Sequence, residues 1–226
     1  IFSDRHYYNH LNDKKLFDLI LIRIPRHSKK KLTQSFSTFV SFFKVGVKHV
    51  VKFSVFNYLL FLVLIIISLS FIEWKKIGWL IGLLTTGFFI GILLVFYTDL
   101  NVKLDVLKFI IPLLIFSLAI INILMSGNTF KGTISFFSVV LFGFFNGLGS
   151  STDLEQLVSR HEALLTPILE VVFGFGAAVS VLVLVLMLLN LFLQKIIPVA
   201  KVKWILGTSI LVFCIAIPML IKQIFL

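Results

Sequence analysis

The sequence predicts an all-α fold, a polytopic transmembrane helical bundle with six to seven spans. Of the 226 residues, 59% are hydrophobic and only 14% are charged, and the mean hydropathy is +1.08. Several apolar segments approach or exceed the roughly 20 residues that cross a bilayer core as a helix. These segments are too long and continuous for the short alternating strands of a transmembrane barrel, so we expect helices.

The first 33 residues form a polar, basic arm, and residues 34–226 form the predicted transmembrane domain. Within the arm, residues 14–26 have the pattern of a short interfacial helix ended by Pro25. The basic cluster at 27–31 either lies among anionic lipid headgroups or is a solvated topology signal. In a membrane protein, a net charge of +11 is interpreted first as a signal for the orientation of the chain in the bilayer, and only second as a sign of nucleic-acid binding.

The apolar segments define seven predicted spans, of which the first is the least regular. They are 34–52, 56–72, 77–97, 104–125, 132–149, 164–193 and 203–224. In the first span, three lysines (44, 48 and 52) and His49 share one helical face. Either this face lines the interior of the bundle, or the segment lies in the interface with its lysines extending to the headgroups.

The lysines between the spans predict the orientation of the chain. With a cytoplasmic N-terminus, Lys75, Lys76 and Lys131 are cytoplasmic, as are the lysines that join the last two spans. The longest connection, 150–167, is then outside, and it carries three acidic residues against one arginine. This arrangement agrees with the positive-inside rule and places the C-terminus outside.

Glycines concentrate in the fifth and sixth spans. Gly143 and Gly147 form a GxxxG motif, which permits close approach of a neighbouring helix. Because Gly174 and Gly176 lie on the sixth span, we expect these two spans to contact each other. The glycines assigned to helix packing are Gly143, Gly147, Gly149 and Gly174.

Few polar side chains lie inside the predicted spans, although transporters and intramembrane enzymes keep ionisable groups there. The candidates are His49, Asn57, Thr85, Thr86, Asn122, Asn146, Ser180 and Asn190. We expect each to be satisfied by a hydrogen bond between helices or to a carbonyl one turn back, and Asn146 to bond across the glycine contact. Without a nucleophile–base pair, a metal cluster or a second cysteine beside Cys214, we expect neither enzyme activity nor a cofactor.

From Phe43 to about Gln223 the chain resembles the HupE/UreJ family, in the form found in Bacteroidetes-type bacteria. The matching stretches are FFKVGVKHV (42–50), FNYLLFL (56–62), WKKIGWLIGLLTTG (74–87), KLDVLKFIIPLLIFSLAIINI (103–123), LFGFFNGLGS (141–150), LLTPILEVVFGFG (164–176) and WILGTSILVFCIAIPMLI (204–221). The resemblance implies a multi-pass protein of the bacterial cytoplasmic (inner) membrane. It also implies kinship with probable nickel or cobalt permeases, associated with hydrogenase and urease maturation.

In that family, the metal-binding character rests on intramembrane histidines and acids. The family's Glu-His pair on the first span reads Lys48-His49 in this chain, so only the histidine is kept. Its Asp-His pair at the start of the next span reads Asn57-Tyr58. Two of the family's metal-binding motifs have therefore lost their acids, and one has lost its histidine.

The family's three remaining motifs are altered as well. Phe88 stands at the histidine of the Thr-x-Gly-His turn, Asn146 at the histidine of His-Gly-Leu-Gly, and Gly176 at the glutamate of Gly-x-Glu. The vestigial family-site positions are thus His49, Asn57, Tyr58, Phe88, Asn146 and Gly176. Nickel and cobalt prefer imidazole and carboxylate ligands, so the sequence predicts no metal site.

Two functional hypotheses follow from this pattern. The first is a non-transporting structural or accessory subunit of a larger membrane complex, with the bilayer and other membrane subunits as partners and no nucleic acid. The alternative is a divergent permease for nickel, cobalt or a small solute. Its neutral polar pathway would use Asn146, Asn57, Tyr58, Thr85 and His49.

Overall fold

The computed structural model describes residues 26–52, 55–67, 74–98, 104–124, 131–158, 165–197 and 199–224. These residues form helices α1 (Arg26–Lys52), α2 (Val55–Ile66), α3 (Trp74–Thr98), α4 (Leu104–Leu124), α5 (Lys131–Val158), α6 (Leu165–Ile196) and α7 (Lys201–Ile224). The described part of the chain contains no strand, so the predicted all-α class is confirmed. Nearly all of the interfacial helix expected at 14–26 falls outside the described residues.

The chain divides into two compact units. Residues 1–41 make up the first unit, whose described part is the N-terminal half of α1, and residues 42–226 make up the second.

The helices match the seven predicted segments in number and order. Four of them are long and apolar enough to cross a bilayer, namely Lys75–Thr98, Val106–Leu124, Leu165–Ile196 and Lys201–Gln223. The segments Phe36–Val51 and Phe56–Ile66 pass this test only as a pair, and their axes differ by 75°. The apolar part of α5, Phe136–Ser150, is shorter. By length and composition the described residues thus hold four spans, or five if the bent pair is one span.

Two helix boundaries differ from the sequence prediction. Helix α1 begins at Arg26 rather than at residue 34, because nothing after Pro25 breaks the helix. Helix α5 continues to Val158, so the first half of the predicted outer loop is helical. Ser150 does not end the helix, and its hydroxyl donates to the carbonyl oxygen of Gly147 at 3.1 Å.

Helices α3 and α5 contact each other directly through their backbones. Gly87 and Gly91 of α3 face Gly143 and Gly147 of α5, and both pairs have GxxxG spacing. A Cβ atom on any of these four glycines would lie 2.2 or 2.3 Å from a carbonyl oxygen of the facing helix. Gly91, the second glycine of the α3 motif, lies against Gly147, the second glycine of the α5 motif. Helices α3 and α5 therefore run parallel.

The glycines of α6 have a different partner from the one expected. A Cβ on Gly174 would lie 2.1 Å from the carbonyl oxygen of Phe43, and a Cβ on Gly46 would lie 2.1 Å from that of Val171. Helix α6 therefore meets α1 at glycines, while α5 meets α3, and the predicted glycine contact between α5 and α6 is wrong. Close approach needs a small residue on both helices, and Gly46 supplies it for α6.

Contacts of α4 define the two ends of the bundle. Leu107, at the start of α4, lies beside Gly149 of α5 in an ordinary contact, 3.5 Å from where a Cβ would stand. At the other end of α4, Asn122 donates to the carbonyl oxygen of Leu64 at 2.8 Å, near the end of α2. Helix α4 thus runs opposite to α5 and parallel to α2.

We predict that Gly91→Ala destabilises the bundle, whereas Gly82→Ala on the same helix does not. The new methyl group at position 91 would lie 2.2 Å from the carbonyl oxygen of Phe144, while nothing lies within 4 Å of one at position 82. Overpacking of this kind costs about 1–3 kcal/mol. Thermal unfolding in a non-ionic detergent measures both variants, and equal melting temperatures would contradict the contact.

Candidate site at the family positions

Three of the six family positions line one cavity. His49 from the end of α1, Asn57 from the start of α2 and Asn146 from α5 border a space of about 420 Å³. His49 and Asn146 are buried, at 6% and 4% exposure, and Asn57 is half-buried. The structure therefore brings together residues that lie up to 97 positions apart in the sequence.

The other residues that line the cavity are basic, amide or apolar. Lys108 of α4 and Lys222 of α7 line it together with the amide of Gln223. The apolar wall consists of Leu107, Ile111, Pro112 and Met219. Among the described residues that line this cavity, none is acidic. Sequence analysis missed both lysines as site residues, although their place near the ends of apolar spans was visible.

Two further family positions, Tyr58 and Phe88, contact a group of packed rings next to the cavity. The His49 ring lies 5.6 Å from the Phe88 ring, measured between centroids. Phe88 stacks on Phe175 at 3.8 Å with the planes 2° apart. Tyr58 packs edge-on against Phe175 at 6.0 Å and against Phe142 at 5.3 Å.

A second stack completes this group. Phe61 lies parallel to Phe142 at 3.8 Å, with the planes 5° apart. We call Tyr58, Phe61, Phe88, Phe142 and Phe175 the aromatic layer, and all five are fully buried. Ring pairs of this kind add about 0.5–1.5 kcal/mol each beyond the area they bury, so the layer is a stable part of the core.

Gly176, the sixth family position, lies apart from the cavity. A Cβ atom there would be 3.3 Å from the Oγ1 atom of Thr85. Both residues border a separate groove of about 590 Å³ between α3 and α6. Because Thr85 donates its hydroxyl to Ile81 of its own helix at 2.8 Å, it is already satisfied.

Several of the polar residues singled out in the sequence bond to their own helix. Asn146 donates through Nδ2 to the carbonyl oxygen of Phe142 at 2.7 Å, one turn back, and not across the glycine contact as predicted. Thr85, Thr86 and Ser180 also bond one turn back. Bonds between helices come from Asn122, described above, and from Asn190, which accepts a hydrogen bond from the Trp204 ring at 3.0 Å.

Two polar atoms beside the cavity have no hydrogen-bond partner within the described part of the protein. They are the Oδ1 atom of Asn57 and the hydroxyl of Tyr58, and both are buried. Leaving a buried polar group unsatisfied costs about 1–3 kcal/mol. These adjacent residues at the start of α2 therefore have unused hydrogen-bonding capacity.

The described residues contain no group of three or more His, Cys, Asp or Glu side chains that could hold a metal ion. Of the described residues that line the cavity, only His49 carries a group that nickel or cobalt prefers. The amides of Asn57 and Asn146 are weak ligands for these ions.

A family match covers nearly the whole sequence of this chain. The sequence model of the family described as HupE / UreJ protein matches residues 26–223. The chain belongs to the HupE/UreJ family. This match confirms the resemblance found in the sequence, and it also includes the last part of the N-terminal arm. Searches among curated proteins and among solved structures give no match.

We predict that Phe175→Ala strongly destabilises this HupE/UreJ protein, whereas Phe173→Ala has a small effect. Phe175 is fully buried and stacks on Phe88, while Phe173, two residues away on α6, is 66% exposed. Truncating a buried phenylalanine costs about 3–5 kcal/mol. Melting temperatures in the same detergent compare the two, and similar losses would contradict the buried stack.

Proposed function

We propose that this HupE/UreJ protein does not transport metal ions and serves as an accessory subunit of a membrane complex. The observation that carries the proposal is the chemistry of the family positions. His49, Asn57 and Asn146 border one cavity, and Tyr58 and Phe88 pack beside it. Imidazole appears once among them, and the other four positions present amide, phenol or phenyl groups.

A divalent cation in this cavity would lack the ligands that offset its desolvation. Taking an ion out of water is costly unless carboxylates or imidazoles replace its hydration shell. Here Lys108 and Lys222 line the same wall and add positive charge, which repels a cation. Both effects act against nickel or cobalt binding.

The aromatic layer argues against a metal pathway in the observed conformation. Its two stacked pairs have ring centroids only 3.8 Å apart, and its five side chains are fully buried. A hydrated ion cannot cross tightly packed rings, and a bare ion would find no ligand among them. Transport through this region would require the core to open.

The accessory role is supported by the outer surface. Exposed apolar side chains cover much of α6, among them Val181, Leu184, Leu188 and Phe192. Such a face suits either lipid or the apolar helices of another subunit. A membrane protein with this surface and no metal route fits a supporting role better than a carrier's role.

The bacterial inner membrane and a cytoplasmic N-terminus belong to the same proposal. Lys75 and Lys76 open α3, Lys131 opens α5, and α3 and α5 run parallel. The positive-inside rule then assigns the cytoplasmic side to the end of the bundle where these helices begin. The cavity, lined by the start of α4 and the end of α7, opens at the opposite end.

A divergent permease remains the second candidate, and the cavity itself favours it. A space of about 420 Å³ with polar groups on one wall is large enough for a small solute. In that case Asn57, Asn146 and His49 would contact the solute. Substituting them would then abolish uptake.

We predict that the unaltered protein shows no saturable nickel binding, and that a double variant, Asn57→Asp with Asn146→His, acquires it. Together with His49, the double variant brings two imidazoles and one carboxylate to the wall of a single cavity. Isothermal titration calorimetry on purified protein measures nickel binding by the unaltered protein and by the double variant.

The matched control pairs Asn57→Asp with Asn190→His. Asn190 lies outside the cavity, where it accepts a hydrogen bond from Trp204. This control is expected to bind no nickel. Saturable binding by the unaltered protein would refute the proposal, and equal binding by the two double variants would show that the cavity is not the site.

For the accessory role, we predict that the chain migrates with other membrane subunits after mild solubilisation of native membranes. The exposed apolar face of α6 is the expected contact, so Leu188→Asn should weaken the association without unfolding the chain. Leu169→Asn is the control, because that side chain is also exposed on α6 but lies near its other end. Recovery of the chain only as a monomer would count against the role.

A further inference from the structure

The cavity at the family positions has the opposite charge from a cation site. Lys222 lies in the last turn of α7 and Lys108 in the second turn of α4, and both line the space. No acidic side chain lines it among the described residues. Two ammonium groups at the edge of an apolar cleft concentrate anions, because low-dielectric walls strengthen the field inside.

We propose that this cavity binds an organic phosphate, with the phosphate at the two lysines and an apolar body against the apolar residues one helical turn away. A phosphate ester carries one or two negative charges and several strong acceptor oxygens. Lysine binds phosphate as a point charge, whereas planar carboxylates are matched best by the arginine fork, which no described residue supplies to the cavity.

Amide groups extend the polar wall beyond the lysines. Gln223 follows Lys222 in the sequence, and both line the cavity. Asn57 also lines it and has a buried Oδ1 atom without a partner in the described residues. Amides donate and accept, so they suit the ester oxygens and hydroxyl groups that an organic phosphate carries near its charged head.

The apolar lining accounts for an organic rather than an inorganic anion. An apolar surface lies beside the lysines, because Ile111 and Pro112 follow Lys108 by one turn of α4 and Met219 precedes Lys222 by one turn of α7. Inorganic phosphate would leave that surface exposed to water, whereas a short hydrocarbon chain would cover it. The volume of about 420 Å³ lies within the range of small-molecule sites, about 300–1,000 Å³.

Two sources supply this chemistry. A soluble organic phosphate would enter from the aqueous phase, and an anionic phospholipid would present its headgroup from the bilayer. The site goes beyond the accessory role, because the same cavity would bind the phosphate whether or not the chain joins a complex.

The test uses the full chain in a non-ionic detergent, with butyl phosphate as the soluble probe, titrated by calorimetry. Saturable binding is expected, with affinity reduced about tenfold or more by Lys222→Gln, because a charge-assisted hydrogen bond is lost. Lys108→Gln provides the second variant. Lys203→Gln is the matched control, since it removes the same charge from an exposed position at the other end of α7.

The lipid arm uses nanodiscs of phosphatidylglycerol or phosphatidylcholine, followed by native mass spectrometry of the released protein. Retention of phosphatidylglycerol that Lys222→Gln removes, without butyl phosphate binding, supports the proposal with a lipid as the source. Binding of butyl phosphate supports it with a soluble source.

Several outcomes would overturn the proposal. Absence of binding in both arms would do so, and so would an equal loss of affinity in Lys203→Gln. Butyrate binding as tightly as butyl phosphate would reject the phosphate head. Inorganic phosphate binding as tightly would reject the apolar wall as part of the site.

Discussion

The direct backbone contact between α3 and α5 positions the rest of the site. Four glycines let the helices approach until a single methyl group would collide with a carbonyl oxygen. Phe88 follows Gly87 in the sequence, and Asn146 precedes Gly147, so the same contact sets the positions of both residues. Wider helix separation would pull Phe88 from the stack with Phe175 and would change the cavity that Asn146 lines.

The six positions that the family resemblance assigns come from distant parts of the sequence, and five of them meet in the fold. They lie at the cavity or against the rings beside it. The buried layer now consists of rings held by dispersion and stacking, which bind no ion. Lysine and amide side chains line the polar part of the cavity. The cavity therefore favours an anion, and the layer favours a closed core.

Much of this could be predicted from the sequence, because apolar length and motif order are local properties of the chain. The helices lie where the apolar segments indicated. The loss of metal ligands at the family positions stays a prediction from the motifs. Which helices pack together could not be predicted from the sequence. A glycine pattern shows that a helix can approach another closely, but it does not show which helix it meets. Gly174 meets α1 at Phe43, and Asn146 bonds to Phe142 of its own helix. The roles of Lys108 and Lys222 also depended on folding, since the two lie 114 positions apart in the sequence.

The central claim is that the HupE/UreJ scaffold of this chain is closed to metal ions. The most direct measurement is uptake of radioactive nickel and cobalt into proteoliposomes that contain the purified protein, against empty liposomes and an imposed concentration gradient. The proposed closure by the aromatic layer predicts uptake equal to that of empty liposomes, both for the unaltered protein and for His49→Ala. Saturable uptake by the unaltered protein that His49→Ala abolishes would contradict it.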